Sequence, residues 1–228
     1  MFMDRVQKLL SNWGYCSRRK AEDLIKKGVV TVNGKKITLG DKATDKDKVK
    51  VYDKLIKPPR KIYLMLNKPF GCVTATKDDN YKTVMNYIHT KERVFPVGRL
   101  DKYTSGLLLF TNDGDFANKV MHPSFEIRKK YIVETSKPFT DKQISQIKNG
   151  IILEDGKTNP SWVKQLNATT LKIEIHEGRN RIVRRMIQAL GLKVRSLKRD
   201  AIGKLELGDL GIGKTRSLKK KDIDKIFI

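Results

Sequence analysis

Residues 97–114 read VGRLDKYTSGLLLFTNDG. Asp101 follows Arg99-Leu100 directly. The turn-forming run Tyr103-Thr104-Ser105-Gly106 comes next, then the apolar Leu107-Leu108-Leu109-Phe110, then a second turn, Thr111-Asn112-Asp113-Gly114. An apolar run of this length between turn signals predicts a buried strand. A carboxylate on the loop entering such a strand is rigidly placed, and a nucleophile or a general base needs rigid placement. An Asp in a turn also commonly bonds its own backbone, so the residues alone leave both roles open for Asp101.

A second dense stretch, residues 177–186, reads EGRNRIVRRM. Ile182, Val183, Met186, Ile187 and Leu190 have helical spacing, and Gly191 ends the predicted helix. Arg179, Arg181, Arg184 and Arg185 crowd the preceding junction. Guanidiniums so close call for an anion, either a phosphate or a protein carboxylate, unless they form a solvated basic face.

The N-terminal fifty residues predict helix, helix, hairpin. Val6, Leu9, Leu10 and Trp13 share one helical face, with Gly14 as a stop. Ser17 is a good N-cap for a second helix with Ala21, Leu24 and Ile25 inward. Residues 29–32 and 35–39 flank Asn33-Gly34, a strong hairpin signal. Arg18, Arg19 and Lys20 occupy the first turn of the second helix, where cations oppose the helix dipole. Stability alone would place acids there, so the cluster is read as a surface that meets phosphate. Residues 49–51 predict a last short strand of this domain. Residues 54–60 contain Pro58-Pro59 and are read as a stiff linker.

Beyond the linker, strands are predicted near residues 62–66, 107–110, 128–135 and 151–153, and extended chain at 72–76. Helices are predicted at 83–88, 115–121 and 141–149. Residues 162–166 and 171–175 form a hairpin whose second arm alternates Leu171, Ile173 and Ile175 inward. Residues 194–207 read as strand, turn, strand, and residues 217–226 as a closing helix.

The totals narrow the function classes. The 228 residues carry 49 Lys and Arg against 25 Asp and Glu, a formal charge of +24 spread along the chain. Such an excess favours a polyanionic partner, because cationic side chains gain affinity by displacing counterions from phosphates. No apolar window has the length of a membrane span, and residues 1–14 lack the apolar core and cleavage site of a secretion signal. Cys16 and Cys72 cannot build a disulfide framework, and His89, His122 and His176 show no zinc spacing. A reduced, cytoplasmic setting is expected.

Gly98-Arg99-Leu100-Asp101, Gly106-Leu107-Leu108 and Thr111-Asn112-Asp113-Gly114 resemble the central motif of RNA pseudouridine synthases, in the branch that modifies bacterial ribosomal RNA. Asn67-Lys68-Pro69-Phe70-Gly71 resembles the first motif of that branch, and Lys130-Tyr131 the second. Ser17-Arg18-Arg19-Lys20-Ala21 and Val30-Thr31-Val32-Asn33-Gly34 resemble the S-four-type RNA-binding domain shared by a small-subunit ribosomal protein and bacterial tyrosyl-tRNA synthetases. The opening run Asp4-Arg5-Val6-Gln7-Lys8-Leu9-Leu10 and the spelling Arg179-Asn180-Arg181 are more similar to the large-subunit branch, synthase B type. The resemblance departs at Ile182, where the family often carries a polar residue.

The resemblance implies an α+β protein: an RNA-binding domain over residues 1–53, a linker at 54–60, and a catalytic domain over 61–228. The catalytic domain is expected to hold a mixed, largely antiparallel sheet flanked by helices. The implied reaction isomerises a specific uridine of ribosomal RNA, expected in the 23S rather than the 16S molecule, with no cofactor and no metal. Asp101 is the implied nucleophile. Tyr131 stacks on the flipped base, where an aromatic face restores roughly 1–3 kcal/mol of stacking. Arg184 is expected to pair with Asp101 and keep it ionised. Arg99 is expected to fill the gap that base flipping leaves. Further RNA contacts are expected from Arg18, Arg19, Lys20, Lys68, Arg179 and Arg181. The expected partner is ribosomal RNA or a pre-ribosomal particle, met by a monomer without a nucleotide cofactor or a membrane. A ribosome-assembly factor that only binds RNA is the competing class. A methyltransferase would need a Gly-rich strand-to-helix loop, which the sequence lacks.

Overall fold

The structure, a computed structural model, describes residues 3–228. The chain forms two compact units. One runs to Ile62 and adds Thr90–Phe95 and Thr111–Gly114; the other comprises Tyr63–His89, Pro96–Phe110 and Asp115–Ile228.

In the first unit, helices Val6–Asn12 and Arg18–Lys26 bury the faces their spacing predicts. Val6, Leu10, Ala21, Ile25, Val30 and Val49 are at most 3% exposed and form one core. Each fully buried Val, Leu or Ile side chain stabilises by about 1.5–3 kcal/mol. Ser17 caps the second helix by accepting the Lys20 amide at 3.2 Å. Asn33 and Gly34 both take positive φ, 51° and 84°, as the hairpin turn between Val30–Val32 and Lys35–Lys36 requires. Val49–Val51 and then Lys54–Leu55 complete this four-stranded sheet. Lys54–Leu55 therefore adds a strand within the segment expected as linker. Asp4–Arg5 also forms a strand, paired with Lys42–Ala43, so the first helix starts two residues later than its apolar pattern allows.

The Thr111-Asn112-Asp113 turn has a structural task in this unit. Asn112 accepts the Ile62 amide at 2.8 Å and donates to the Arg60 carbonyl at 2.9 Å, while the Thr111 hydroxyl donates to the Ile62 carbonyl at 2.7 Å. Lys61 pairs with Asp113 at 2.8 Å.

The second unit is built on a nine-stranded mixed sheet. Its main path runs Trp162–Asn167, Thr170–Ile175, Lys129–Thr135, Val194–Ile202, Ser105–Thr111, Tyr63–Lys68, Thr215–Ser217. Antiparallel pairing joins the first four, whereas Val194–Ile202 and Ser105–Thr111 run parallel, with Arg199 opposite Gly106. A register shift opposite Lys130 and Tyr131 leaves Asp200 as a bulge. Helices Asp141–Asn149 and Ile182–Ala189 contribute Ile147, Val183, Met186 and Ile187 to a core with Val133, Leu171 and Ile173 from the sheet. Gly114–Met121 is helical, and its Phe116, Ala117 and Val120 are buried.

Three expectations change. The helix at 83–88 is a single 3-10 turn, Val84–Tyr87, and residues 72–76 contribute only an isolated bridge, Val73 to Thr83. The closing helix is confined to Lys220–Asp224 and a 3-10 turn, because Thr215–Ser217 pairs as a strand with Leu64–Leu66. Among the described residues no helix is long and apolar enough to cross a membrane.

Candidate active site

Asp101 lies on the loop between Leu100 and the strand Ser105–Thr111, and this loop is braced from below. The Thr74 hydroxyl donates to the Leu100 carbonyl at 2.7 Å and accepts its amide at 3.2 Å. The Gly71 amide donates to the Lys102 carbonyl at 2.8 Å, and the Thr104 amide to that of Asp101 at 3.0 Å. Lys68 completes the brace: its ammonium donates to the carbonyls of Thr104 at 2.8 Å and Pro69 at 3.1 Å. Gly106 then lets the chain enter the sheet. Its φ is +102°, and a Cβ there would lie 2.2 Å from the Arg199 carbonyl oxygen, so only glycine fits.

A cleft of about 430 Å³ opens above this loop, lined by Arg99, Asp101, Lys129, Tyr131, Arg181 and Arg199 among others. Asp101 is about one-third exposed and pairs with Arg181, Nη1 to Oδ2 3.4 Å. Arg181 immediately precedes the helix Ile182–Ala189 and takes a left-handed backbone, φ 50°. A non-glycine residue in this region is strained, and here the strained residue carries the guanidinium that meets the cleft carboxylate. Tyr131 lines the cleft from the strand Lys129–Thr135, directly opposite Arg199. Arg99 is exposed at the rim.

The partner expected of Arg184 is different. Arg181 makes the ion pair with Asp101, and Arg184 donates through Nη2 to the Tyr103 carbonyl. Arg184 stays electrostatically coupled to the pair. Burial and the charge of Arg181 ease its proton off, while Asp101 holds it on. The physical reason is local geometry: the left-handed turn at Arg181 directs that side chain to the carboxylate, and Arg184, one helical turn later, reaches the loop backbone.

Two expected RNA contacts are also corrected. Lys68 has no exposed surface, and its donors are used by loop carbonyls; an enclosed ammonium cannot meet RNA phosphate. Burial pulls its pKa below the ordinary lysine value, opposed by Cys72 and Asp101. Arg179 is saturated by protein acceptors. It pairs with Asp155 and Glu177, both at 2.9 Å, and donates to the Gly156 carbonyl at 3.0 Å. Arg185 shares Asp155 at 2.8 Å, and this hydrogen bond, ahead of the Coulomb attraction of Arg179 and Arg185, holds the Asp155 carboxyl below its usual range. Of the four arginines, two thus meet protein carboxylates at Asp155. Arg18, Arg19 and Lys20 belong to the first unit, exposed on the first turn of Arg18–Lys26.

Lys129 and Arg199 line the cleft without having been singled out in the sequence. Arg199 is 3% exposed. Its Nε donates to the Leu107 carbonyl at 2.7 Å, and among the described residues its buried Nη2 has no hydrogen-bond partner. Lys129 is half-buried and donates to the Ile127 carbonyl at 2.9 Å. Desolvation, then the charge of Arg199, lower its pKa to about 8. Among the described residues neither cation has a carboxylate partner, so the wall of the cleft is electropositive and suited to an electron-rich ligand. One signal was available: the alternation of Val194–Ile202 places Arg199 in register with buried Leu197 and Ala201.

Comparison with known proteins bears on this cleft. Residues 62–189 match the model of the RNA pseudouridylate synthase family, and residues 4–49 that of the S4 domain. The chain is 41% identical to ribosomal large subunit pseudouridine synthase B of Bacillus subtilis, over 98% of this chain and 96% of that one. It is 35% identical to the dual-specificity RNA pseudouridine synthase RluF of Escherichia coli O6:H1, over 98% of this chain and 78% of that one. A crystal structure of a pseudouridylate synthase superposes with a TM-score of 0.73 at 30% identity, covering 97% of this chain and 99% of the other.

Proposed function

The chain belongs to the RNA pseudouridylate synthase family, and on that premise we propose that it isomerises one uridine of ribosomal RNA to pseudouridine, in the large-subunit RNA. The observation that carries this reading is the Asp101 carboxylate, ion-paired to Arg181 in a cleft that Tyr131 also lines. The near full-length similarity to a large-subunit synthase supports the choice of RNA.

The target base cannot react inside a stem, so it leaves the stack and enters the cleft. Arg99, at the rim, takes its place in the stack; a planar guanidinium can do so. Tyr131 packs on the base. Asp101 starts the reaction, and Arg181, with Arg184 behind it, holds the carboxylate in place through its ion pair. The C1′–N1 bond breaks with its electron pair on the base. The uracil turns, C5 bonds to C1′, the proton on C5 is released and N1 takes one up. Atoms and electrons balance without an oxidant or reductant. Arg18, Arg19 and Lys20 add grip on phosphates that is independent of sequence. The protein acts as a cytoplasmic monomer, with the RNA-binding domain running through the Lys54–Leu55 strand, two residues past the expected limit at 53, and the catalytic domain from residue 61.

Carbodiimide labelling and primer extension on unmodified ribosomal RNAs of both subunits test this, with wild type and Asp101→Asn. A new stop on large-subunit RNA from wild type alone is expected. A stop on small-subunit RNA moves the substrate to 16S. No stop on RNA or on pre-ribosomal particles, with binding intact, makes the protein an RNA-binding assembly factor.

A further inference from the structure

Three large aromatic side chains stand exposed beside the Asp101 loop: Phe70 is 63% exposed, Tyr81 50% and Tyr103 48%. They are contiguous. The Phe70 and Tyr103 ring centroids lie 5.2 Å apart, and the Lys102 ammonium sits 3.5 Å from the centre of Tyr81 and 5.4 Å from that of Tyr103. Single exposed apolar residues need no explanation, but three clustered aromatics mark a contact surface. We propose that Phe70, Tyr81 and Tyr103, with Lys102 among them, form a stacking subsite for an unpaired RNA base next to the target nucleotide.

Position, rigidity and charge support this occupant. Lys102 and Tyr103 follow Asp101 directly in the chain, so a neighbour of the reacting nucleotide is the part of a substrate within reach. Flipping one nucleotide strips a stacking partner from its neighbours, and an aromatic face replaces it. The patch is preorganised, because the Gly71 amide and the Lys68 ammonium tie the Phe70 loop to the Lys102 loop. A cation between rings, in a chain of formal charge +24, favours a polyanion over an apolar protein surface. Stacking of this kind accepts any base. The subsite rests on the RNA-modifying reading above.

The test is a double-mutant cycle read in binding, in an Asp101→Asn background that prevents turnover. The RNAs are a ribosomal fragment that the protein binds and the same fragment with an abasic residue at each unpaired position around the target. Phe70→Ala and Tyr81→Ala should each weaken binding of the intact fragment about tenfold without changing the salt slope. Tyr103→Phe, which keeps the ring, should bind as the parent does. On one of the abasic fragments the alanine variants and the parent should bind alike. Equal affinity of all variants for the intact fragment, or a tenfold loss that persists at every abasic position, overturns the subsite. So does a loss accompanied by a changed salt slope, which would assign the patch to phosphate. A wild type that binds the fragment yet makes no pseudouridine would sink the catalytic reading while the cycle still decides the subsite.

Discussion

The Lys68 ammonium donates to the Thr104 carbonyl at 2.8 Å from a side chain with no exposed surface. A charge so enclosed is tolerable only when bonded, and two of its acceptors, the Thr104 and Lys102 carbonyls, lie on the loop that holds Asp101. Replacing Lys68 by Met keeps the volume and removes the donor. Each carbonyl left unsatisfied costs about 1–3 kcal/mol. The expected result is a lower melting temperature and turnover reduced on the order of a hundredfold, the scale of a 1 Å misplacement, with RNA affinity unchanged. A loss of affinity at full turnover would mean that Lys68 meets RNA.

Arg181 combines a strained backbone with a functional side chain, and glycine separates the two. At φ 50° an L-residue carries a cost of roughly 1 kcal/mol that glycine lacks. Arg181→Gly should therefore melt at or above the wild-type temperature. Its turnover should fall by about 10²-fold, the scale for removing one preorganised charge contact. Full turnover in Arg181→Gly would transfer the ion-pair role to Arg184.

Gly106→Ala should be among the most damaging small changes in the second unit. The added methyl would sit 2.2 Å from the Arg199 carbonyl oxygen at a φ of +102°. Strain and forced separation of the two strands should together exceed about 3 kcal/mol, read as a lower midpoint in urea unfolding. An unchanged midpoint would mean that the parallel pairing is not tight in solution.

Lys129 predicts a pH-dependent stability. Its pKa in the folded chain, about 8, lies below the ordinary lysine value of 10.5. Between those values the unfolded chain holds more protons, so this group makes the native state more stable as pH rises. Below the folded pKa both states are protonated and the full cost of a desolvated charge beside Arg199 remains. Lys129→Met should thus raise the melting temperature at pH 7, and the gain should shrink towards pH 10. A gain that does not vary with pH would point to packing instead of charge.

Much of the architecture was legible because its signals are local. Val6, Leu9, Leu10 and Trp13 declare a helix by spacing alone, and Asn33-Gly34 declares a hairpin by the φ values it tolerates. Thr215–Ser217 was not legible, since three mixed residues become a strand only through the partner Leu64–Leu66. The arginine cluster was legible as a group and not by member. Spacing announces that four guanidiniums need anions, but Asp155 reaches Arg179 and Arg185 through tertiary packing that spacing does not encode. Lys68 misled for a related reason: a basic residue in a loop motif reads as a contact, and only its enclosure shows that it bonds the backbone. Arg199 and Tyr131 meet across a strand pair, so their common cleft follows from register and not from either local sequence.

The parallel junction of the sheet also sets when the cleft comes into being. Arg199 bonds Leu107, a residue 92 positions earlier, whereas the hairpins beside it close over short loops. Joining such distant segments costs loop entropy before any contact repays it. During synthesis the Asp101 loop emerges long before the strand that supplies Arg199 and walls the cleft. The growing chain thus exposes its RNA-binding module first and becomes competent for chemistry last.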